Sequence, residues 1–222
     1  MAKIDLVFWD IDDTVIDGAS LWYLAVYAAK NGYMSPVALI KVWLWFIFYK
    51  LGLIDDPKKI MSRAVLLVRG RTVEQFKDIL KDFFDRIILN KFYPEALAII
   101  KKHKKLGRKI FLVSNSISPL VELFADKVGA DYFIGTELER DNKNYYTGAI
   151  SGDLTYGLDK VKKIKKYLAK DNILVKKSWA YSDHLSDAPL FQMANHAVVV
   201  NPKKQLLDLA EKRGWEIKSF SL

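Results

Sequence analysis

From Tyr93-Pro94 onward the chain keeps one rhythm, in which short apolar runs alternate with helical stretches. The runs are Lys109 to Ser114, Tyr132 to Ile134, Trp179 to Ser182, Ala197 to Val200 and Trp215 to Ile217. Helical stretches separate most of them: Pro119 to Val128, stopped by Gly129, then Leu158 to Ala169, Ala188 to Met193 and Lys203 to Arg213. A further helix, Pro94 to Leu106, opens the series and stops at Gly107. Short apolar runs separated by helices predict a parallel sheet covered on both faces. The run Lys3 to Trp9, KIDLVFW, stands far upstream and reads as one more buried strand. Glu137 to Arg140 and Tyr145 to Ile150 flank Asp141 to Asn144, which signals a hairpin.

The stretch between the first strand and Pro94 has a different pattern. From about Ser20 to Asn90 it is helical and nearly free of strand signals. Ser20 is suited to cap a helix through Ala29, ended by Asn31-Gly32. Ser35-Pro36 starts a second helix with proline in its first turn. Pro57 starts a third, ending near Arg69-Gly70. Thr72 and Gln75 form a capping box for a fourth, through about Ile88. The chain therefore predicts an α/β core, residues 1–17 plus 92–222, with a helical cap domain, residues 18–91, inserted after the first strand. Its 222 residues, 51% of them hydrophobic, suffice for one core and a small insert.

In a parallel α/β sheet, ligands bind outside the carboxyl ends of the strands. The first strand ends in Asp10, Asp12, Asp13 and Thr14, and the second in Ser114, Asn115 and Ser116. The Trp179 strand ends in Ser182 and Asp183, with Asp187 one turn later, and Lys160 opens the helix before it. Several carboxylates in one place repel and call for a cation. All-oxygen ligands suit Mg²⁺, which takes a few carboxylates together with phosphate and water. A carboxylate can attack phosphorus, and a second one two residues on can protonate the leaving alkoxide. A lysine and a hydroxyl can hold the phosphoryl oxygens where transition-state charge collects.

These motifs resemble those of the haloacid-dehalogenase-like (HAD) superfamily. FWDIDDT, Phe8 to Thr14, is similar to its first motif, DxDxT. LVSNS, Leu112 to Ser116, resembles the second, and Lys160 in GLDKVKKI the third. YSDHLSDAPLF, Tyr181 to Phe191, resembles the fourth, with His184 where the family often has serine. The resemblance covers nearly the whole chain. It implies a Rossmann-like core with a C1-type cap, similar to subfamily IB, which includes phosphoserine phosphatase. It implies Asp10 as nucleophile and magnesium ligand, and Asp12 as general acid and base with its backbone carbonyl on the metal. Ser114, Asn115 and Lys160 would bind the phosphoryl group. Asp183 would be the second metal carboxylate, Asp187 would order the metal site and Thr14 would brace the loop. The implied activity is Mg²⁺-dependent hydrolysis of a phosphate monoester through an aspartyl-phosphate. Asp12 separates this reading from the dehalogenases, where no carboxylate is expected, and from the P-type pumps, where threonine is.

Composition removes several other classes. With no cysteine, a disulfide framework, a thiolate nucleophile and a Cys-ligated zinc site are all excluded. His103, His184 and His196 show no metal-ligand spacing. The net charge of +9 is concentrated in Lys101 to Lys109 and Lys160 to Lys170, read as solvated helix faces, and no nucleic-acid-binding signature accompanies it. The N-terminus does not read as a signal peptide. The most hydrophobic segment has an uninterrupted apolar core only from Val42 to Tyr49, against ~20 residues for a membrane-spanning helix. A cytoplasmic enzyme is expected.

Substrate choice is expected from the cap. The resemblance implies a cap Glu and Arg in phosphoserine phosphatases. Here the first-helix region offers Ser20, and the arginine position falls on Ala64, with Arg63 one residue off. On a helix that shift rotates the side chain by ~100°. The expected substrate is therefore a phosphorylated small molecule other than phosphoserine, with phosphoserine itself and a lipid-like phosphate ester as alternatives. A non-enzymatic binding protein is the remaining class, and the complete set of acidic groups argues against it. Five aromatics in Val42 to Tyr49 cover most of a helix circumference. Some of these rings are expected at the surface, facing a second subunit, a membrane or an apolar substrate.

Overall fold

The structure, a computed structural model, describes residues 3–50, 61–62 and 65–222, without the side chains of residues 45, 46, 48–50 and 67. Its core is a six-stranded sheet in the order β3-β2-β1-β6-β7-β8, parallel throughout. The strands are β1 (Lys3–Trp9), β2 (Lys109–Ile117), β3 (Tyr132–Thr136), β6 (Leu174–Ser182), β7 (His196–Val200) and β8 (Glu216–Lys218). A separate hairpin is formed by β4 (Leu138–Arg140) and β5 (Tyr146–Ile150). The helices are α1 (Ser20–Lys30), α2 (Pro36–Lys50), α3 (Val73–Arg86), α4 (Pro94–Lys105), α5 (Ser118–Val128), α6 (Gly157–Lys170), α7 (Ala188–Met193) and α8 (Lys204–Arg213).

Strand periodicity divides the core into two layers. Leu6 and Phe8 point to one face and pack with Phe111, Val161, Ile164 and Phe191. Val7 and Trp9 point to the other and pack with Ile110, Leu112, Phe124 and the apolar stripe of α3. That stripe is Phe76, Leu80, Phe83 and Phe84, one face at helical spacing. Phe84 meets the Phe124 ring edge-on, with centroids 5.0 Å apart. The capping box starts α3 as expected, since Thr72 Oγ1 accepts from Gln75 N and Gln75 Oε1 accepts from Thr72 N, both at 3.1 Å.

The segment between β1 and α4 is helical where it is described. Its named elements are α1, α2, a 3₁₀ turn (Val65–Val68), α3 and a second 3₁₀ turn (Ile88–Lys91). Most of the helix expected from Pro57 lies outside the described residues, as do Arg63 and Ala64. The β4–β5 hairpin braces this insertion. Gly70 N donates to Tyr146 O, and Tyr146 N donates back to Arg71 O, each at 2.9 Å. Gly148, at φ 82°, lets the backbones meet, because a Cβ there would lie 3.0 Å from Arg69 Cβ. On α2, Val37, Ile40, Trp43 and Leu44 are exposed, with Trp43 at 47%. The rings of Trp45, Phe46, Phe48 and Tyr49 lie outside the described side chains. Among the described residues, no helix is long and apolar enough to cross a membrane.

Candidate active site

β1 is the switch point of the sheet, with β2 on one side and β6 on the other. Trp9 pairs with Leu112 of β2 and with Tyr181 of β6. Asp10, Ser114 and Asp183 follow these paired residues by one or two positions, so all three emerge at one level. Asp10 is tied down there by its amide, which donates to Tyr181 O at 3.0 Å. Beneath it the Trp9 and Tyr181 rings stack, 3.9 Å between centroids.

After Asp10 the chain turns tightly around one carbonyl. Ile11 O accepts from Thr14 N, Val15 N and Ile16 N at 3.2, 2.8 and 3.1 Å. The turn places Asp13 at φ 52°, a left-handed conformation that aspartate tolerates. Asp13 Oδ1 accepts from Gly18 N at 2.9 Å, which makes Asp13 a structural link of this loop. Asp12 Oδ1 accepts from Ser20 N at 2.8 Å. Ser20 is therefore not the cap of α1 but its first helical residue, and Ala19 is the N-cap, with no side-chain bond. The amide of Ser20 is used to orient Asp12, and its hydroxyl donates to Ser116 Oγ at 3.2 Å.

Lys160, on the first turn of α6 and 3% exposed, joins two strand ends. Its Nζ lies 2.8 Å from Asp10 Oδ1 and 2.7 Å from Asp187 Oδ2. Asp187 Oδ2 also accepts from Ser182 Oγ at 2.6 Å. Thr14, fully buried, donates to Asp183 Oδ1 at 3.4 Å. Ser114 Oγ accepts from Ser116 N at 3.1 Å, and Asn115 O accepts from Thr136 Oγ1 at 2.9 Å. Asn115 Oδ1 and Asp187 Oδ1 are buried without a protein partner. The eight residues to which the resemblance assigns roles thus lie at the ends of β1, β2 and β6, on the 3₁₀ turn after β6 or at the start of α6.

His184 lies in the turn that follows β6. It is half-buried, and its Nδ1 accepts from Ser186 N at 3.1 Å, capping the short 3₁₀ turn Leu185–Asp187. With Nδ1 as acceptor, Ser186 Oγ must donate to it, at 2.8 Å. His184 thereby helps present Asp187.

The electrostatics follow from crowding acids in a dry place. Burial pushes Asp10 up to about 7; Lys160 opposes this, and Asp187 and Asp12 add to it. Burial also raises Asp12, to about 6, against the hydrogen bond from Ser20. Asp183 is raised well above the carboxylate range by burial and then by Asp10, Asp13 and Asp187. Burial alone would lower Lys160, but Asp10 and Asp187 more than offset it, so the ammonium is held charged. One lysine thus serves two carboxylates, and Asp183 has no ion pair among the described residues. Such a site favours an added cation. Among the described residues, no three carboxylates or imidazoles form a ready-made metal cage. The side-chain donors on offer are two carboxylates, Asp10 and Asp183, and the other available donors are oxygens as well. That set suits Mg²⁺, which completes its shell with water and phosphate.

Two features were missing from the sequence reading. Arg71, just before the capping box, lines a cavity next to Asp12 and Asn115. The amide of Ser20 as partner of Asp12 is the other, and only the short spacing between them hinted at it.

The chain is similar to several known proteins. A probable phosphatase of Mycobacterium tuberculosis is 30% identical over 217 residues, 96% of this chain and 75% of that protein. A phosphoserine phosphatase of the same species is 25% identical over 218 residues, covering 97% and 70%. A Bordetella pertussis protein of unknown function superposes with a TM-score of 0.89 at 21% identity, covering 97% of this chain and 98% of that one. The model of the haloacid dehalogenase-like hydrolases matches residues 7–192, most of the chain, and the chain belongs to that family.

Proposed function

We propose that this phosphatase hydrolyses a phosphate monoester with Asp10 as nucleophile, in an active site completed by Mg²⁺. The observation that carries this reading is Lys160 held between Asp10 and Asp187, within a group of strand-end oxygens. Asp10 and Asp183, with the backbone carbonyl of Asp12, would hold the ion. When bound, it would offset carboxylate repulsion and draw phosphoryl charge. Asp10 attacks phosphorus and the bond to the leaving oxygen breaks, giving an aspartyl-phosphate. Asp12, whose pKa burial raises to about 6, keeps a protonated fraction of roughly a tenth at pH 7, and that form passes its proton to the leaving oxygen. It then takes a proton from the water that cleaves the aspartyl-phosphate. Ser114, Asn115 and Lys160 hold the phosphoryl oxygens, Thr14 steadies Asp183, and Asp187 orients Lys160. Residues 18–91 act as a cap over a core of residues 1–17 and 92–222, in the cytoplasm.

The test is phosphate release from a broad panel of monoesters, with and without Mg²⁺. Asp10→Asn is expected to lower kcat by roughly 10⁴-fold or more, as loss of a covalent nucleophile does elsewhere. Wild-type turnover by Asp10→Asn in metal-free buffer would sink the assignment.

A second reading concerns α2. Val37, Ile40, Trp43 and Leu44 form an exposed apolar stripe on a chain of net charge +9. This combination favours peripheral contact with an anionic lipid surface.

A further inference from the structure

A cavity of about 250 Å³ lies between the helical insertion and the strand ends. Its walls include Leu24, Ala25, Val42, Met61, Val65 and Phe76, contributed by α1, α2, the 3₁₀ turn and α3 among others. Asp12 and Asn115 also line it, so it opens directly onto the phosphoryl site. Arg71 is its one described lining cation. The guanidinium is already engaged, 5.4 Å from the centre of the Tyr33 ring and 3.4 Å from Tyr33 O.

We propose that this cavity receives the alcohol half of the substrate and that this alcohol is apolar, an alkyl or aryl group. The inference rests on the phosphatase reading above. If Asp12 protonates the leaving oxygen, the rest of the leaving group must extend away from Asp12, and the adjoining space is this cavity. A serine leaving group would bring an ammonium and a carboxylate into it. Among the described lining residues, Asp12 is the sole carboxylate that could meet the ammonium, and it is committed to the proton transfer. Burying an unpaired ionic group is costly, whereas burying hydrocarbon there is favourable. An apolar cavity of ~150 Å³ accommodates benzene, so this larger one has room for a substituted ring or a short chain.

The experiment measures kcat/KM with Mg²⁺ for n-alkyl phosphates from methyl to octyl, for phenyl and naphthyl phosphate, for glycerol 3-phosphate and for phosphoserine. All are kept below their aggregation concentrations. Each added methylene is expected to raise kcat/KM about fourfold until the cavity is full. Phenyl phosphate is expected to exceed phosphoserine by roughly tenfold or more on the same scale. Ala28→Trp on α1 and Val42→Trp on α2 each fill the cavity from a different wall, and the octyl-to-methyl ratio should collapse in both. If esters are hydrolysed but the chain-length slope is flat, or phosphoserine is preferred, the apolar class is overturned and the phosphatase reading survives. A slope that persists in both tryptophan variants overturns the cavity assignment. If no ester is hydrolysed, the phosphatase reading fails and takes this inference with it.

Discussion

The two sides of the candidate site are built by different means. On the sheet side most functional groups are fixed by polar contacts: Lys160 to Asp10 and Asp187, Ser182 to Asp187, and Thr14 to Asp183. On the insertion side the wall is almost wholly apolar and contributes Arg71 and the Ser20 amide. Hydrogen bonds and ion pairs are directional, so the sheet side can hold reacting atoms to a fixed geometry. Apolar contacts are not directional, so the insertion side can select by size and polarity without prescribing an orientation. On the proposed reading, reaction type and substrate choice reside in different parts of the chain.

The sharpest way to break this contrast is at Lys160. Lys160→Met would leave Asp10 and Asp187 buried without their shared cation. Removing one partner of a buried ion pair costs about 3–5 kcal/mol. Urea unfolding at pH 8 without added metal should show a loss of that size. A loss below about 1 kcal/mol would mean that the sheet side does not depend on its polar lattice.

A second prediction concerns His103, buried on α4 below the site. Its Nδ1 accepts from Arg108 at 3.0 Å, so Nε2 carries the proton and faces Tyr181 Oη at 2.9 Å. Burial lowers its pKa from 6.5 to about 4, and Arg108 and Lys102 add to the effect. The folded state thus keeps His103 neutral while the unfolded state takes up the proton first. The associated stability is fully present above pH ~6.5 and is lost as pH falls towards 4, by at most about 3 kcal/mol. Denaturation curves from pH 7 to 4 should show this slope for the wild type and a shallower one for His103→Gln. Equal slopes would remove His103 from the account.

The smallest effect is expected on the insertion side. Trp43→Ser removes one half-exposed ring from α2. Sedimentation with anionic vesicles should show about tenfold weaker partitioning, corresponding to ~1.4 kcal/mol of lost apolar burial. If neither wild type nor variant binds vesicles, the lipid reading of α2 fails, and the sheet side is untouched.

The sequence was most legible where hydrophobic pattern and local chemistry agree. Thr72 and Gln75 announced a helix start, and Ala188 to Met193 was bounded correctly. The acids after Trp9 and Tyr181 marked strand ends because a buried parallel strand is uniformly apolar until it emerges. Pattern failed where a strand carries charge. β6 starts at Leu174, five residues before Trp179, with Lys176 and Lys177 on its exposed first half. β2 continues through Ser114, Asn115 and Ser116 to Ile117, because Thr136 and the neighbouring serines satisfy groups that look like a turn in one dimension. The cavity was not legible at all. Its walls come from segments that meet only after folding, and their residues are ordinary core formers.

The long reach of the contacts at Asp10 has a consequence for synthesis. Lys160 lies 150 residues further along the chain, and Thr14 finds Asp183 across 169. At ~5–20 residues per second the ribosome needs roughly 10–30 s to travel from one end of either pair to the other. Throughout that interval a nascent chain carries Asp10 without the strand-end groups that follow β6. The site can be assembled only after Asp187 has been made.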